Sequence, residues 1–218
     1  MAEPAAAVNR GLLWAEFLAL YFGAPLVIAL FMPGRLLFQA LAVFSIAGLL
    51  LLWRTGGFHW RGLVHGWGSL PWGGIGLVAL VTLIVSVAIL WVTSPESIFR
   101  LIWLRPHVLL MIWCLYPLVS ALPQELIFRP LFFHRYGALL PSGQAAIILN
   151  AAVFSFAHLM YWSWVVAILT FLGGWVFAYA YVRRGFPAAW VLHAVVGNVL
   201  FAVGMGVYFY SGNVVRPF

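Results

Sequence analysis

The chain has 218 residues, of which 66% are hydrophobic and only 7% are charged, with a formal net charge of +7. Roughly one quarter of the residues in an ordinary soluble domain are charged, so this composition excludes a soluble globular protein. All the basic residues are arginines, and most lie at the ends of apolar runs, where positive charge sets topology and contacts anionic head groups. We therefore predict membrane lipids as partners and no binding of nucleic acid.

A run of about 20 apolar residues is long enough to cross a bilayer core. The chain contains seven such runs, at approximately 12–32, 36–54, 75–93, 107–128, 144–161, 163–182 and 187–210. They predict an all-α fold, a polytopic transmembrane helical bundle of about seven spanning helices in a single domain covering residues 1–218. The stretch 94–106 is interpreted as an interfacial helix or loop, with an eighth crossing as the alternative. The expected location is a bacterial or archaeal cell membrane, as an integral multi-pass protein.

The first three runs contain few residues that suggest catalysis or binding. Glu16 lies near the start of the first run and is interpreted as an interfacial residue. Further along, Gly173 and Gly174 in the sixth run predict close packing between helices.

The fourth run contains "LPQELIFRPLFF", with Gln124, Glu125 and Arg129. An ionisable residue within a spanning helix is by default a functional hypothesis because it is costly to place in hydrocarbon. Glu125 and Arg129 are four residues apart, which puts them on one helix face at ion-pair distance. Taken alone, such a pair is equally well explained as a structural lock between helices.

Two histidines and an amide occur at depth in later runs. "FSFAHLM" places His158 four residues after Phe154, and "VLHAVVGN" places His193 ahead of Asn198. At 1.5 Å per residue, Glu125 and His158 can lie level, whereas His193 lies only about 9 Å into its helix. That helix is therefore expected to tilt or to begin outside the bilayer. We predict that these side chains and Arg129 converge on one polar cavity.

These three motifs resemble those of the CPBP family of intramembrane proteases, which includes the type II CAAX-prenyl endopeptidases and Abi-type proteins. The family carries Glu-Glu-x-x-x-Arg on one helix, Phe-x-x-x-His on the next and His-x-x-x-Asn on a later one. Here "QELIFR", "FSFAH" and "HAVVGN" occur in that order within residues 107–201. The resemblance implies a glutamic-type intramembrane endopeptidase, without a cofactor, that cleaves a membrane-anchored protein or peptide at a carboxy-terminal or leader segment.

The chain departs from the family pattern at two positions. Gln124 replaces the first Glu, which in the family activates a water together with the first His. Gly197 stands where the family has Asn, and Asn198 follows it. An amide cannot take a proton near neutral pH, so the base role passes to Glu125.

The remaining roles follow from this assignment. His158 would orient the water, and His193 and Asn198 would hydrogen-bond the oxyanion. Arg129 would pair with Glu125, and Gln124 would position water or the substrate backbone. The alternatives are a catalytically inactive relative that serves as a membrane binding or accessory protein, and a chain in which Gln124 replaces an acid to trap substrate.

Three further interpretations of the polar residues stay open at the level of sequence. His158 and His193 could ligate a b-type haem in an electron carrier, which would leave Arg129 unexplained. A small transporter could use buried polar groups as a relay. Zinc bound by Glu125 and the two histidines is disfavoured, because Arg129 opposes a cation and the chain has no His-Glu-x-x-His spacing.

Overall fold

The computed structural model describes residues 9–210 together with Gly212 and Val214. Within that part of the chain, seven helices are long and apolar enough to cross a membrane, and no strand occurs. They are α1 Arg10–Phe31, α2 Gly34–Trp53, α3 Trp72–Thr93, α4 Pro106–Arg135, α5 Gln144–Tyr161, α6 Trp164–Arg184 and α7 Phe186–Val203. The predicted all-α bundle with seven spanning helices is confirmed.

Two boundaries differ from the sequence-based ones. Helix α4 continues to Arg135, and α7 ends at Val203 because Gly204 adopts a φ of +116°, a conformation that glycine provides at helix ends. The stretch between α3 and α4 holds only a turn at Pro95–Ser97 and a short helix at Arg100–Leu104. A helix of that length cannot cross a bilayer, so no eighth crossing forms there.

Helix α4 is interrupted by wide turns. Its regular stretches, Pro106–Tyr116 and Leu122–Leu126, are followed by the π-helical segments Pro117–Ala121 and Ile127–Arg135. Pro117 opens the first segment and Pro130 lies inside the second. Proline lacks the backbone N–H that continues an α-helix, and single π-helical turns are frequent at functional sites.

Other helices bind the carbonyl oxygens that lie within these wide turns. The donors come from α1, α7 and α5: the Tyr21 hydroxyl to Ile127 O (2.7 Å), Trp190 Nε1 to Pro117 O (2.8 Å), and Asn150 Nδ2 to Phe128 O (2.6 Å). A backbone polar group within a membrane must be satisfied by protein because water is absent. The irregular shape of α4 therefore depends on its neighbours.

Close packing of α5 against α6 depends on Gly174. A Cβ there would lie 2.9 Å from the ring of Phe154 and 3.2 Å from the backbone of Ala151. The predicted role in close helix packing is confirmed for Gly174, whereas a Cβ at Gly173 would meet only Phe177 of the same helix, at 3.5 Å. The main core is rich in aromatic side chains from α1, α4, α5 and α6, including Phe17, Tyr21, Phe128, Phe132, Phe154 and Phe177.

An ion pair joins the beginning of α1 to the end of α4. Arg135 donates from Nε to Glu16 Oε2 over 2.8 Å and from Nη2 to Glu16 Oε1 over 2.9 Å. Its Nη1 is 3.4 Å from the Leu51 carbonyl oxygen on α2. The pair thus links three helices at the end of the bundle where α4 terminates.

Candidate active site

Glu125 and Arg129 form a fully enclosed ion pair in the middle of α4. Both side chains have an exposure of 0%. Arg129 Nε donates to Glu125 Oε2 over 2.8 Å, and Nη2 donates to Oε1 over 3.1 Å. This bidentate geometry is the strong form of a carboxylate–guanidinium contact. The predicted spacing on one helix face thus produces a direct ion pair.

Asn150 on α5 completes the surroundings of Arg129. Arg129 Nη1 donates to Asn150 Oδ1, and the amide nitrogen of Asn150 donates to the Phe128 carbonyl oxygen. The guanidinium also lies over the Phe154 ring, 5.1 Å from its centroid, which is a favourable cation–π distance. Sequence reasoning missed Asn150, although an amide inside the apolar run "IILNAAV" was an available signal.

His193 on α7 binds the same carboxylate. Its Nδ1 lies 2.9 Å from Glu125 Oε1, and because an ionised carboxylate only accepts hydrogen bonds, Nδ1 carries the hydrogen. The opposite ring nitrogen, Nε2, lies 3.0 Å from the Tyr116 hydroxyl. Glu125 and His193 are therefore level. The difference in depth expected from regular helices thus does not keep these two side chains apart.

His158 lies at the end of α5, beside this group. Its Nδ1 is 2.8 Å from the Phe154 carbonyl oxygen, so Nδ1 is the donor and Nε2 keeps its lone pair. The Phe154 ring contacts both imidazoles, with centroids 4.8 Å from His158 and 5.6 Å from His193. No hydrogen bond to Nε2 of His158 occurs among the described residues. Nε2 of His158 is thus the imidazole nitrogen that a water can reach.

Gln124 and Asn198 make different contacts. Gln124 Nε2 donates to Ser120 Oγ over 3.0 Å, while its buried Oε1 has no partner within the described part of the chain. Asn198 Nδ2 donates to the Trp113 carbonyl oxygen over 3.3 Å, and Trp113 Nε1 donates to the Asn198 carbonyl oxygen over 3.1 Å. The structure groups Glu125, Arg129, His193 and His158, whereas Asn198 joins α7 to α4 elsewhere.

The zinc arrangement does not match these contacts. It would use Glu125 with both histidines, but the Arg129 guanidinium lies directly on the Glu125 carboxylate. Across residues 9–210, no group of three His, Cys, Asp or Glu side chains is placed to hold a metal ion.

Residues 105–200 match the family described as type II CAAX prenyl endopeptidase Rce1-like. This segment, the Rce1-like core, is similar to that family. This match confirms the resemblance drawn from the three motifs, all of which it contains. It covers α4, α5, α6 and α7 as far as Leu200. No curated protein and no solved structure shows significant similarity to the chain.

The Rce1-like core holds every residue of the candidate site. Type II CAAX prenyl endopeptidases are proteases, so the match supports a CAAX-type intramembrane protease function. Together with the seven apolar helices, it identifies an integral, multi-pass membrane protein. Helices α1, α2 and α3 lie outside the matched segment, and α1 contributes Tyr21 and Glu16 as contacts to α4.

Proposed function

We propose that this protein is an intramembrane endopeptidase that hydrolyses a peptide bond in a membrane-anchored protein or peptide, near a carboxy-terminal or leader segment. One observation carries the proposal. A fully buried carboxylate, Glu125, is held by Arg129 and by an imidazole, and a second imidazole beside them keeps an open nitrogen. A purely structural ion pair would not need either histidine.

The contacts favour an anchoring role for Glu125. Its two oxygens already accept two hydrogen bonds from Arg129 and one from His193. To take a proton from water directly, as the sequence predicted, Glu125 would have to exchange one of these bonds for the water. We propose instead that the carboxylate fixes the orientation of His193, as the acid does in other acid–imidazole pairs.

His158 is then the group that accepts the proton of the attacking water. The Phe154 carbonyl oxygen holds Nδ1 and leaves Nε2 as the acceptor. General-base assistance of this kind contributes about 10²–10⁴ in rate. The buried, unpartnered Oε1 of Gln124 is suited to receive a hydrogen bond from the water or from a substrate N–H.

The test uses purified protein in liposomes with two matched peptides that end in a CAAX sequence, one prenylated and one carrying an acyl anchor, together with a library of membrane-anchored peptides. Fragments are identified by mass spectrometry. The parent should cleave at least one substrate. His158→Gly should lose activity and partly recover it when imidazole is added. Glu125→Gln should also lose activity. A parent that cleaves none of these substrates would overturn the proposed function.

Gln124 favours a second candidate function, that of an inactive accessory protein. An amide stands where the family pattern has an acid, and Glu125 is fully engaged with its partners. The variant Gln124→Glu decides between the two candidates. Cleavage by Gln124→Glu with none by the parent would identify a disarmed protease, whereas cleavage by the parent supports the endopeptidase.

A further inference from the structure

Tyr116 lies beside the Glu125–His193 pair, next to Nε2 of His193, in the last regular turn of α4 before the first wide segment. Its hydroxyl is 3.0 Å from Nε2 of His193, and the two rings meet edge to face with centroids 6.0 Å apart. Sequence analysis gave no reason to select this residue, because tyrosines in such a chain are expected at the membrane interface.

Gly197 makes room for the Tyr116 ring. A Cβ built at Gly197 would overlap the ring and the hydroxyl of Tyr116, so any other residue would displace them. Position 197 is one helical turn after His193 and faces the same side of α7. Gly197 has no side chain, so the phenol ring of Tyr116 on α4 fills the space beside α7 at this position.

The Tyr116 hydroxyl occupies the ring nitrogen of His193 that Glu125 leaves open. Nδ1 of His193 is occupied by Glu125, so a reacting group must approach Nε2, where the Tyr116 oxygen already lies. A phenol hydroxyl accepts one hydrogen bond and donates its own hydrogen. Because Nδ1 donates to Glu125, Nε2 is the acceptor of the ring, and the Tyr116 hydroxyl donates to it in the resting protein. A substrate carbonyl oxygen that enters the site beside this hydroxyl takes over that hydrogen bond.

We propose that Tyr116 is a catalytic residue, whose hydroxyl donates to the scissile carbonyl oxygen as that oxygen becomes negative. This inference rests on the proposed endopeptidase function. It moves to Tyr116 the role predicted for Asn198, whose amide instead donates to the Trp113 carbonyl oxygen.

The bond changes balance without any additional reactant. The water oxygen bonds to the carbonyl carbon, the water proton passes to Nε2 of His158, and the carbonyl π electrons move to the oxygen that Tyr116 binds. When the tetrahedral species collapses, the C–N bond breaks and His158 returns the proton to the leaving nitrogen. Tyr116 keeps its proton and acts only as a hydrogen-bond donor.

The first test is Tyr116→Phe, which keeps the ring and removes the hydroxyl. Removing one oxyanion donor typically costs about 10²–10³ in kcat, so we expect that loss with a KM close to that of the parent. The unfolding temperature should fall slightly, because Nε2 of His193 loses its partner. The matched control is Tyr179→Phe on the outer face of α6, where the tyrosine is 44% exposed; its kcat should equal that of the parent.

The second test exchanges the two positions. Tyr116→Ala removes the donor, and Gly197→Asn adds an amide that collides with the Tyr116 ring, so each single variant should lose activity. The double variant Tyr116→Ala/Gly197→Asn places an amide donor in the vacated space and should exceed either single variant by about 10-fold in kcat, a partial recovery of the donor's contribution.

The outcomes separate the two proposals. A Tyr116→Phe variant with the kcat of an active parent, or a double variant no better than its singles, would overturn the role of Tyr116 while leaving the endopeptidase intact. If the parent and the Tyr179→Phe control are both inert towards the liposome substrates, both proposals fail together.

Discussion

Two arginines of α4 form ion pairs that have the same chemistry but different surroundings. Glu125–Arg129 and Glu16–Arg135 are both bidentate, with Nε–O distances of 2.8 Å in each. The first pair has an exposure of 0% on both sides, whereas the side chains of Arg135 and Glu16 are 11% and 21% exposed. The inner pair is therefore cut off from any outside partner that could replace a lost one.

The two ion pairs also differ in the further contacts that their carboxylates and guanidinium groups make. Glu125 also binds His193, and Arg129 also binds Asn150, so the inner pair belongs to a network spanning three helices. Besides Glu16, Arg135 contacts the Leu51 carbonyl oxygen on α2, the Thr55 hydroxyl just after α2, and the Tyr136 ring, whose centroid lies 6.0 Å from the guanidinium carbon. A buried pair is tolerated when every remaining polar atom finds a partner, and here those partners include the groups of the candidate site.

The largest effect is expected from Arg129→Met. It leaves the Glu125 carboxylate buried without its cation, which typically destabilises a protein by about 3–5 kcal/mol. Thermal unfolding in detergent should show a strongly lowered transition, and cleavage should be lost. The double variant Arg129→Met/Glu125→Gln should recover much of the stability without activity. An unchanged transition in Arg129→Met would mean that the inner pair does not stabilise the fold.

Exchanging the acid and the arginine within each pair tests whether the inner and outer pairs differ in tolerance. Glu125→Arg/Arg129→Glu should remain unstable and inactive, because a carboxylate at 129 meets the Asn150 oxygen and a guanidinium at 125 meets the His193 donor. The matched exchange Glu16→Arg/Arg135→Glu should fold and cleave close to the parent level, since the outer pair is partly exposed and water can replace the contacts that the exchange breaks. Thermal unfolding and liposome cleavage measure both, and equal tolerance of the two exchanges would remove the distinction.

A smaller effect is expected from Glu16→Gln. Partly exposed ion pairs contribute up to about 1 kcal/mol, so the free energy of unfolding should fall by that amount. The cleavage rate should stay within about twofold of the parent, because the change is distant from the proton-transfer groups. Loss of cleavage in a stably folded Glu16→Gln protein would show that the outer pair shapes the site.

The smallest effect is expected from Asn198→Leu. It removes one hydrogen bond between α7 and α4, and interhelical hydrogen bonds in membranes average about 0.6 kcal/mol. Cleavage should remain near the parent level, in contrast to Tyr116→Phe. A loss of kcat at unchanged unfolding temperature would return Asn198 to the oxyanion role predicted from the sequence.

The features that the sequence predicted correctly depend on local pattern. Run lengths set the number of spanning helices, and the four-residue spacing sufficed to place Glu125 beside Arg129. Tyr116 and Asn150 could not be selected in this way, because their contacts join residues far apart in the chain. The same limit applies to Asn198, whose position in the motif suggested the site and whose hydrogen bonds lie with Trp113.

The wide turns of α4 also have a consequence for biogenesis. Their carbonyl oxygens are bound by Tyr21, Asn150 and Trp190, and the last of these lies on the final spanning helix. A nascent chain that has not yet inserted α7 lacks both Trp190 and His193, so α4 cannot hold its mature shape and the acid–imidazole pair does not exist. The candidate site is therefore complete only after α7 has inserted beside α4.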